Sequence, residues 1–141
     1  MSFTIIFLIK SVYAAFLGFI IGAQREKTGK PAGARTTALV TLGSTAFSLM
    51  SSQGFGDSLG LDPSRISSQI VVGVGFLGAG IITFHDDKVN GVTTAATLWV
   101  AAALGIVIAN GFYFEALYLT LITLFILLLS KVQEKTGWLK N

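Results

Sequence analysis

Three groups of side chains in this chain could do chemistry. Lys10 stands inside an apolar run, while Asp62, Arg65 and Glu115 stand near the starts of later ones. An ammonium in an apolar segment is costly and usually has a partner. These four residues could therefore form an ion-pair network, or an ion or substrate site. The plainer account is that Lys10 snorkels to the nearer interface. The second group is Gln24, Arg25, Glu26, Arg35, Thr36, Thr37, Thr93 and Thr94, gathered around the starts of two apolar segments. Helix N-termini carry partial positive charge, so two of them beside Arg35 would suit an anion or a partner's acidic residue. The competing account is threonine capping combined with basic anchoring. The third group, His85-Asp86-Asp87, has ligand types that suit Mg²⁺, but three adjacent residues on a short turn are too few for a cage. A solvated turn is expected there, and no metal is assigned.

Gly73-Val-Gly75-Phe-Leu-Gly78 matches the letters of a dinucleotide-binding turn. That motif needs a strand before it, a helix after it and an acidic residue about 20 positions on. Here it lies inside an unbroken apolar run, and the later position reads Leu98-Trp99. There is no cysteine, hence no thiol chemistry, and no Ser/His/Asp grouping. Neither catalysis nor a cofactor is expected.

The elements that position these groups follow from composition. The chain is 52% hydrophobic and 12% charged, where soluble domains carry about 25% charged residues. The apolar residues come in blocks of membrane-spanning length. The expected fold is an all-α integral membrane bundle, a single transmembrane domain over 1–141, with spans near 3–21, 36–51, 66–84, 92–109 and 112–129. Of the ten Lys and Arg, Arg25, Lys27, Lys30, Arg35, Lys88, Lys131, Lys135 and Lys140 fall on one side of such a bundle. The positive-inside rule then places the N-terminus outside and the C-terminus in the cytoplasm. The net charge of +3 sits at helix ends, so nucleic acid is not an expected partner.

Small residues set the expected packing. Gly73, Gly75, Gly78 and Gly80 fall in the third span, where each would cost about 1 kcal/mol relative to alanine in a water-exposed helix. In a bilayer they let backbones approach, which places that span in the middle of the bundle. The second span is short and rich in Thr, Ser, Gly and Ala, as expected of a buried helix. Gly18 and Gly22, with Ala101 and Gly105, form small-residue stripes from which a homodimer is expected. Trp138 is a candidate interface anchor.

The runs REKTGKPAGARTTALVTLGS, DPSRISSQIVVGVGFLGAGIITF and VNGVTTAATLWVAAALG, in that order, resemble the MgtC/SapB family of bacterial inner-membrane proteins. The motifs that carry the resemblance include Arg25, Glu26, Pro31, Gly33, Arg35 and Thr36, the glycines of the third span, and Thr93, Thr94 and Trp99. The resemblance implies about five membrane helices and a role in growth under magnesium limitation. It also implies a link to virulence and to restraint of a membrane complex such as the F-type ATP synthase. The chain departs from the family pattern at Gln24, Thr37, Thr93 and Val100, and reads as a short member without the soluble C-terminal domain of longer ones. A regulatory inner-membrane protein is the expected function. A small oligomeric transporter or channel subunit, for Mg²⁺ or another ion, is the alternative.

Overall fold

The computed structural model describes residues 2–53, 62–85 and 88–136. Five helices and one short hairpin make up the described chain: α1 (Phe3–Lys27), α2 (Ala34–Gln53), α3 (Arg65–Ile81), β1 (Thr83–His85), β2 (Lys88–Asn90), α4 (Val92–Ala109) and α5 (Tyr113–Thr136). Two of the helices, α1 and α4, are long and apolar enough to cross a membrane by length and composition.

The interior is built around α2, which packs between α1 and α4. Thr37, Thr41 and Thr45 recur every four residues, so they share one helix face, and all three are fully buried. Two of the hydroxyls bond back to their own helix. Thr41 Oγ1 donates to the Thr37 carbonyl at 3.0 Å and Thr45 Oγ1 to the Thr41 carbonyl at 3.0 Å. Thr45 Oγ1 also lies 3.0 Å from the Gly105 carbonyl, which ties α2 to α4. Glycines on the neighbours permit this closeness. A Cβ on Gly18 would lie 2.6 Å from Thr41 Oγ1, and one on Gly105 would lie 2.5 Å from the Thr41 carbonyl. Beside this seam, Ala14, Leu17 and Ile21 of α1 close a core with Leu104 and Ile108 of α4 and Ala116 and Leu127 of α5.

Three expectations need correction. First, α3 is peripheral. Val74 and Gly78 are its buried residues, and a Cβ on Gly73, Gly75 or Gly80 would meet nothing within 4 Å. A glycine serves a close approach or leaves open space, and the sequence does not say which. Second, the segment after α3 is not all helix and turn. Thr83–His85 pairs antiparallel with Lys88–Asn90, with Phe84 opposite Val89, so the fold is helical with one small hairpin. Third, the small-residue stripes expected to form a dimer face point inward: Gly18 and Gly22 meet α2, and Ala101 and Gly105 are buried in the chain's own interior. The helices also outrun the expected spans, since α1 continues to Lys27 and α5 to Thr136. Asp57, Asp86, Asp87, Trp138 and Lys140 lie outside the described residues.

The outward faces are apolar. Phe76 is 82% exposed, Phe114 75% and Val72 68%, and Phe16, Phe19, Phe47 and Phe125 are exposed with them.

Candidate functional site

At one end of the bundle, the last turn of α1 meets the first turns of α2 and α4. The local sequence dictates this junction. α1 ends because Gly29 takes a left-handed conformation (φ 65°), and Thr28, Gly29 and Lys30 donate their amides to the last carbonyls of the helix. The chain then turns through Pro31, Ala32 and Gly33 into α2. A Cβ on Gly22 would lie 2.6 Å from the Gly33 carbonyl and 2.7 Å from Ala34 Cα, so the start of α2 rests directly on α1. Glu26 fixes that contact: its Oε2 accepts the Ala34 amide at 3.1 Å. A carboxylate at a helix N-terminus opposes the dipole's positive end and satisfies a free amide. Thr37 Oγ1 donates to the Ala32 and Gly33 carbonyls at 3.2 and 3.0 Å, which closes the turn.

The start of α4 is finished differently. Gly91 is its N-cap, with φ 87° and no side-chain cap. A Cβ there would lie 2.2 Å from the Ile81 carbonyl, so the hairpin's return requires glycine. Ala95 donates to the Gly91 carbonyl at 2.9 Å, the first bond of the helix. The amides of Val92, Thr93 and Thr94 precede it and find no acceptor among the described residues. Behind them lies Arg25, only 4% exposed, whose Nη2 donates to Thr94 Oγ1. Its Nε is buried and finds no acceptor among the described residues. Arg35, Thr36 and Thr93 are exposed around this junction.

At the other end the expected outer residues are not one cluster. Lys10 is buried, and its Nζ donates to the Ala109 carbonyl at 2.6 Å. It also sits 6.0 Å from the Tyr113 ring centroid. An ammonium on the last carbonyls of a helix satisfies one of them and complements the negative end of the dipole. Lys10 thus fastens α1 to the end of α4, and Tyr13 adds a hydrogen bond to the Tyr113 carbonyl at 3.2 Å. Asp62 serves the start of α3. Its Oδ1 accepts from the Ser64 hydroxyl at 2.7 Å and the Ser64 amide at 2.8 Å. Those two donors, with the Arg65 charge adding, hold its carboxyl below the usual carboxylate range. Arg65 and Glu115 are exposed, and no hydrogen bond or ion pair joins Lys10 to Asp62, Arg65 or Glu115 among the described residues.

The remaining named residues fall elsewhere. Gly73, Gly75 and Gly78 lie inside α3, so the letters of a dinucleotide turn are a helix interior. Trp99 is half exposed on α4, and His85 ends β1. Sequence reasoning named Arg25 and Thr94 but not their bond. It put Arg35 at the centre of the anion reading, and Arg35 is solvent-facing. The signal that could have found the pair is an arginine on the small-residue side of α1, three positions after Gly22.

The model of the MgtC family matches residues 12–136. The chain belongs to the MgtC family. The resemblance drawn from its motifs is thereby confirmed, and Arg25 and Thr94 of this MgtC-family chain, both named in those motifs, are bonded at the junction described above. It is 45% identical over 126 residues to the putative magnesium transporter YhiD of Escherichia coli K12, covering 86% of this chain and 59% of that one. It is 42% identical over 118 residues to protein MgtC of Salmonella typhimurium LT2, covering 84% and 49% respectively. An uncharacterized protein of Haemophilus influenzae is 34% identical over 133 residues, with 89% and 56% covered. The chain thus spans about half the length of the curated relatives it matches. No solved structure matches it.

Proposed function

We propose that this MgtC-family chain is a regulatory protein of the bacterial inner membrane, tied to magnesium limitation and acting on a partner membrane complex. It crosses the bilayer five times as a single transmembrane domain, with the N-terminus outside and the C-terminus in the cytoplasm. Exposed phenylalanines on several helices supply a lipid-facing surface. The bias of Lys and Arg toward one side supports the orientation.

The observation that carries the regulatory reading is the sign of the buried charge. The two charged residues buried among the described ones, Lys10 and Arg25, are both cations. The buried hydroxyls of Thr41, Thr45, Thr97, Thr120 and Thr123 donate to carbonyls of their own helices. A path for Mg²⁺ calls for several oxygen ligands, chiefly carboxylates and carbonyls, whereas the charged groups buried among the described residues are both cations.

The second reading is ion transport, favoured by the name of the relative called a putative magnesium transporter. The deciding experiment is ion flux into proteoliposomes, with Mg²⁺, K⁺ and H⁺ tested separately. No flux from folded protein is the expected result, and co-purifying membrane complexes are then identified, the F-type ATP synthase first. A saturable Mg²⁺ flux overturns the regulatory reading in favour of transport. A homodimer remains part of the proposal.

A further inference from the structure

Serines tie α2 to α3 at one end only. Ser67 Oγ donates to Ser48 Oγ at 3.2 Å, and Ser51 Oγ accepts the Ile66 amide at 3.2 Å while donating to the Pro63 carbonyl at 2.7 Å. No other hydrogen bond joins the two helices among the described residues. From this tie a groove of about 520 Å³ runs toward the start of α2. Leu39 and Phe47 line it on α2, and Ile66 and Leu77 line it on α3. Thr36 stands at its far end, and Ser44 and Gln69 are the other polar groups of the lining. Gly43 and Gly73 make the hollow, since a Cβ on either would meet nothing within 4 Å. An empty hollow forfeits dispersion contacts along its whole lining, so an apolar occupant is favoured.

The length of the groove selects the occupant. The eleven residues from Thr36 to Phe47 rise about 16 Å at 1.5 Å each. One leaflet of a bilayer is about 15 Å deep, half of the hydrocarbon core. A partner helix crosses the full core, whereas the serine tie closes this groove part-way. Charge selects the headgroup. Arg35 directly precedes Thr36 at the open end, is exposed, and makes no hydrogen bond or ion pair among the described residues. At the closed end Arg65 has Asp62 beside it. The unbalanced cation therefore stands at the mouth, and a guanidinium suits a phosphate through its planar fork of donors.

We propose that the groove between α2 and α3 holds one acyl chain of an anionic phospholipid, whose phosphate pairs with Arg35. The lipid belongs to the leaflet at the start of α2, and its chain ends against Phe47 below the serine tie. Basic residues beside a gap between membrane helices select anionic headgroups in this way. The inference rests on the proposed membrane embedding and not on the regulatory role.

The test is photo-cross-linking of the full chain in nanodiscs of equal phosphatidylglycerol and phosphatidylcholine. Phe47 is replaced by p-benzoylphenylalanine, and in a separate variant so is Phe125, exposed on α5. Mass spectrometry then identifies the captured species. The probe at position 47 is expected to favour phosphatidylglycerol about fivefold, as one arginine near the surface allows, and the probe at 125 to show no preference. Arg35→Gln abolishes the preference. Gly73→Leu fills the hollow and lowers lipid capture at position 47, and Gly43→Leu carries the same expectation if that variant does not fold. Equal capture of both lipids at position 47 overturns the proposal, and so does a cross-link there to a second copy. Lipid capture at neither position overturns the membrane embedding with it.

Discussion

Gly22 and Gly73 are both helical glycines in apolar surroundings, yet alanine at the two positions is expected to act with opposite sign. At Gly22 a new Cβ would lie 2.6 Å from the Gly33 carbonyl, 2.6 Å from Thr37 Oγ1 and 2.7 Å from Ala34 Cα. Two of these are backbone atoms of the turn into α2, so no side-chain rotation relieves the clash, and α1 and α2 must separate. Overpacking of this kind costs about 1–3 kcal/mol. Separation also strains the Glu26 contact to the Ala34 amide, which lies in the same turn. We therefore expect Gly22→Ala to destabilise by about 2–3 kcal/mol, or roughly 30-fold or more in the folding equilibrium. At Gly73 a new Cβ meets nothing within 4 Å, and alanine gains up to about 1 kcal/mol of helix propensity. The assay is reversible unfolding of both variants and the parent in mixed detergent micelles, followed by helical circular dichroism. The reasoning is refuted if Gly22→Ala matches the parent, or if both variants lose stability equally. The second outcome would mean that α3, like α1, is held by a close backbone approach, and would be expected of a second copy docked on Gly73.

Lys10→Met leaves the Ala109 carbonyl without its ammonium donor and is expected to cost about 1–2 kcal/mol in the same unfolding assay, with no change in ion flux. A folded variant with altered flux would instead make Lys10 part of a transport site. Asp62 gives a pH dependence. Its carboxyl is held below the usual range by Ser64, so its contribution to the start of α3 is fully present above the unfolded-state value of about 3.9 and is lost as pH falls through the lower folded-state value. Protection factors of the amides at Arg65 to Ser68, relative to intrinsic exchange at each pH, should fall on acidification in the parent and lose that acid-specific step in Asp62→Asn.

Much of this arrangement is readable from residue types, and the parts that are not have physical reasons. Hydroxyls at four-residue spacing in the second span mark a helix whose polar groups bond back to its own carbonyls, and α2 is indeed interior. The start of α3 is legible to within two residues: Asp62-Pro63 reads as N-cap and first helical position, whereas Asp62 bonds Ser64 in the preceding turn and Ser64 is the N-cap, without a side-chain cap bond. The partner of Lys10 is not legible. A buried ammonium is satisfied by a carboxylate or by any helix end, and the sequence marks only carboxylates. The hairpin was hidden because Thr83, Phe84 and Val89 read equally well as the tail of an apolar span and as short strands. The placement of α3 was hidden because glycine records only that a side chain is missing. At the candidate site, the threonines, Arg25 and the turn glycines could be named in advance. The uncapped α4 start could not, because it depends on Glu26 bonding to α2 and leaving α4 alone.

The position of α2 between α1 and α4 also bears on the order in which the chain is made. α1 and α2 leave the ribosome together, and their glycine–threonine seam forms from neighbours separated by a short turn. The opposite face of α2, with Thr45 reaching Gly105 across 60 residues of chain, has no partner until α4 has been synthesised. On the proposed five-span topology, the most hydroxyl-rich helix faces lipid on one side during that interval. Its insertion is therefore provisional, held by α1 and by hydroxyls folded back on their own backbone, and becomes final only when α4 arrives. A ribosome stalled before residue 92 should display an α2 that slips out of the bilayer, and one stalled beyond residue 109 should not.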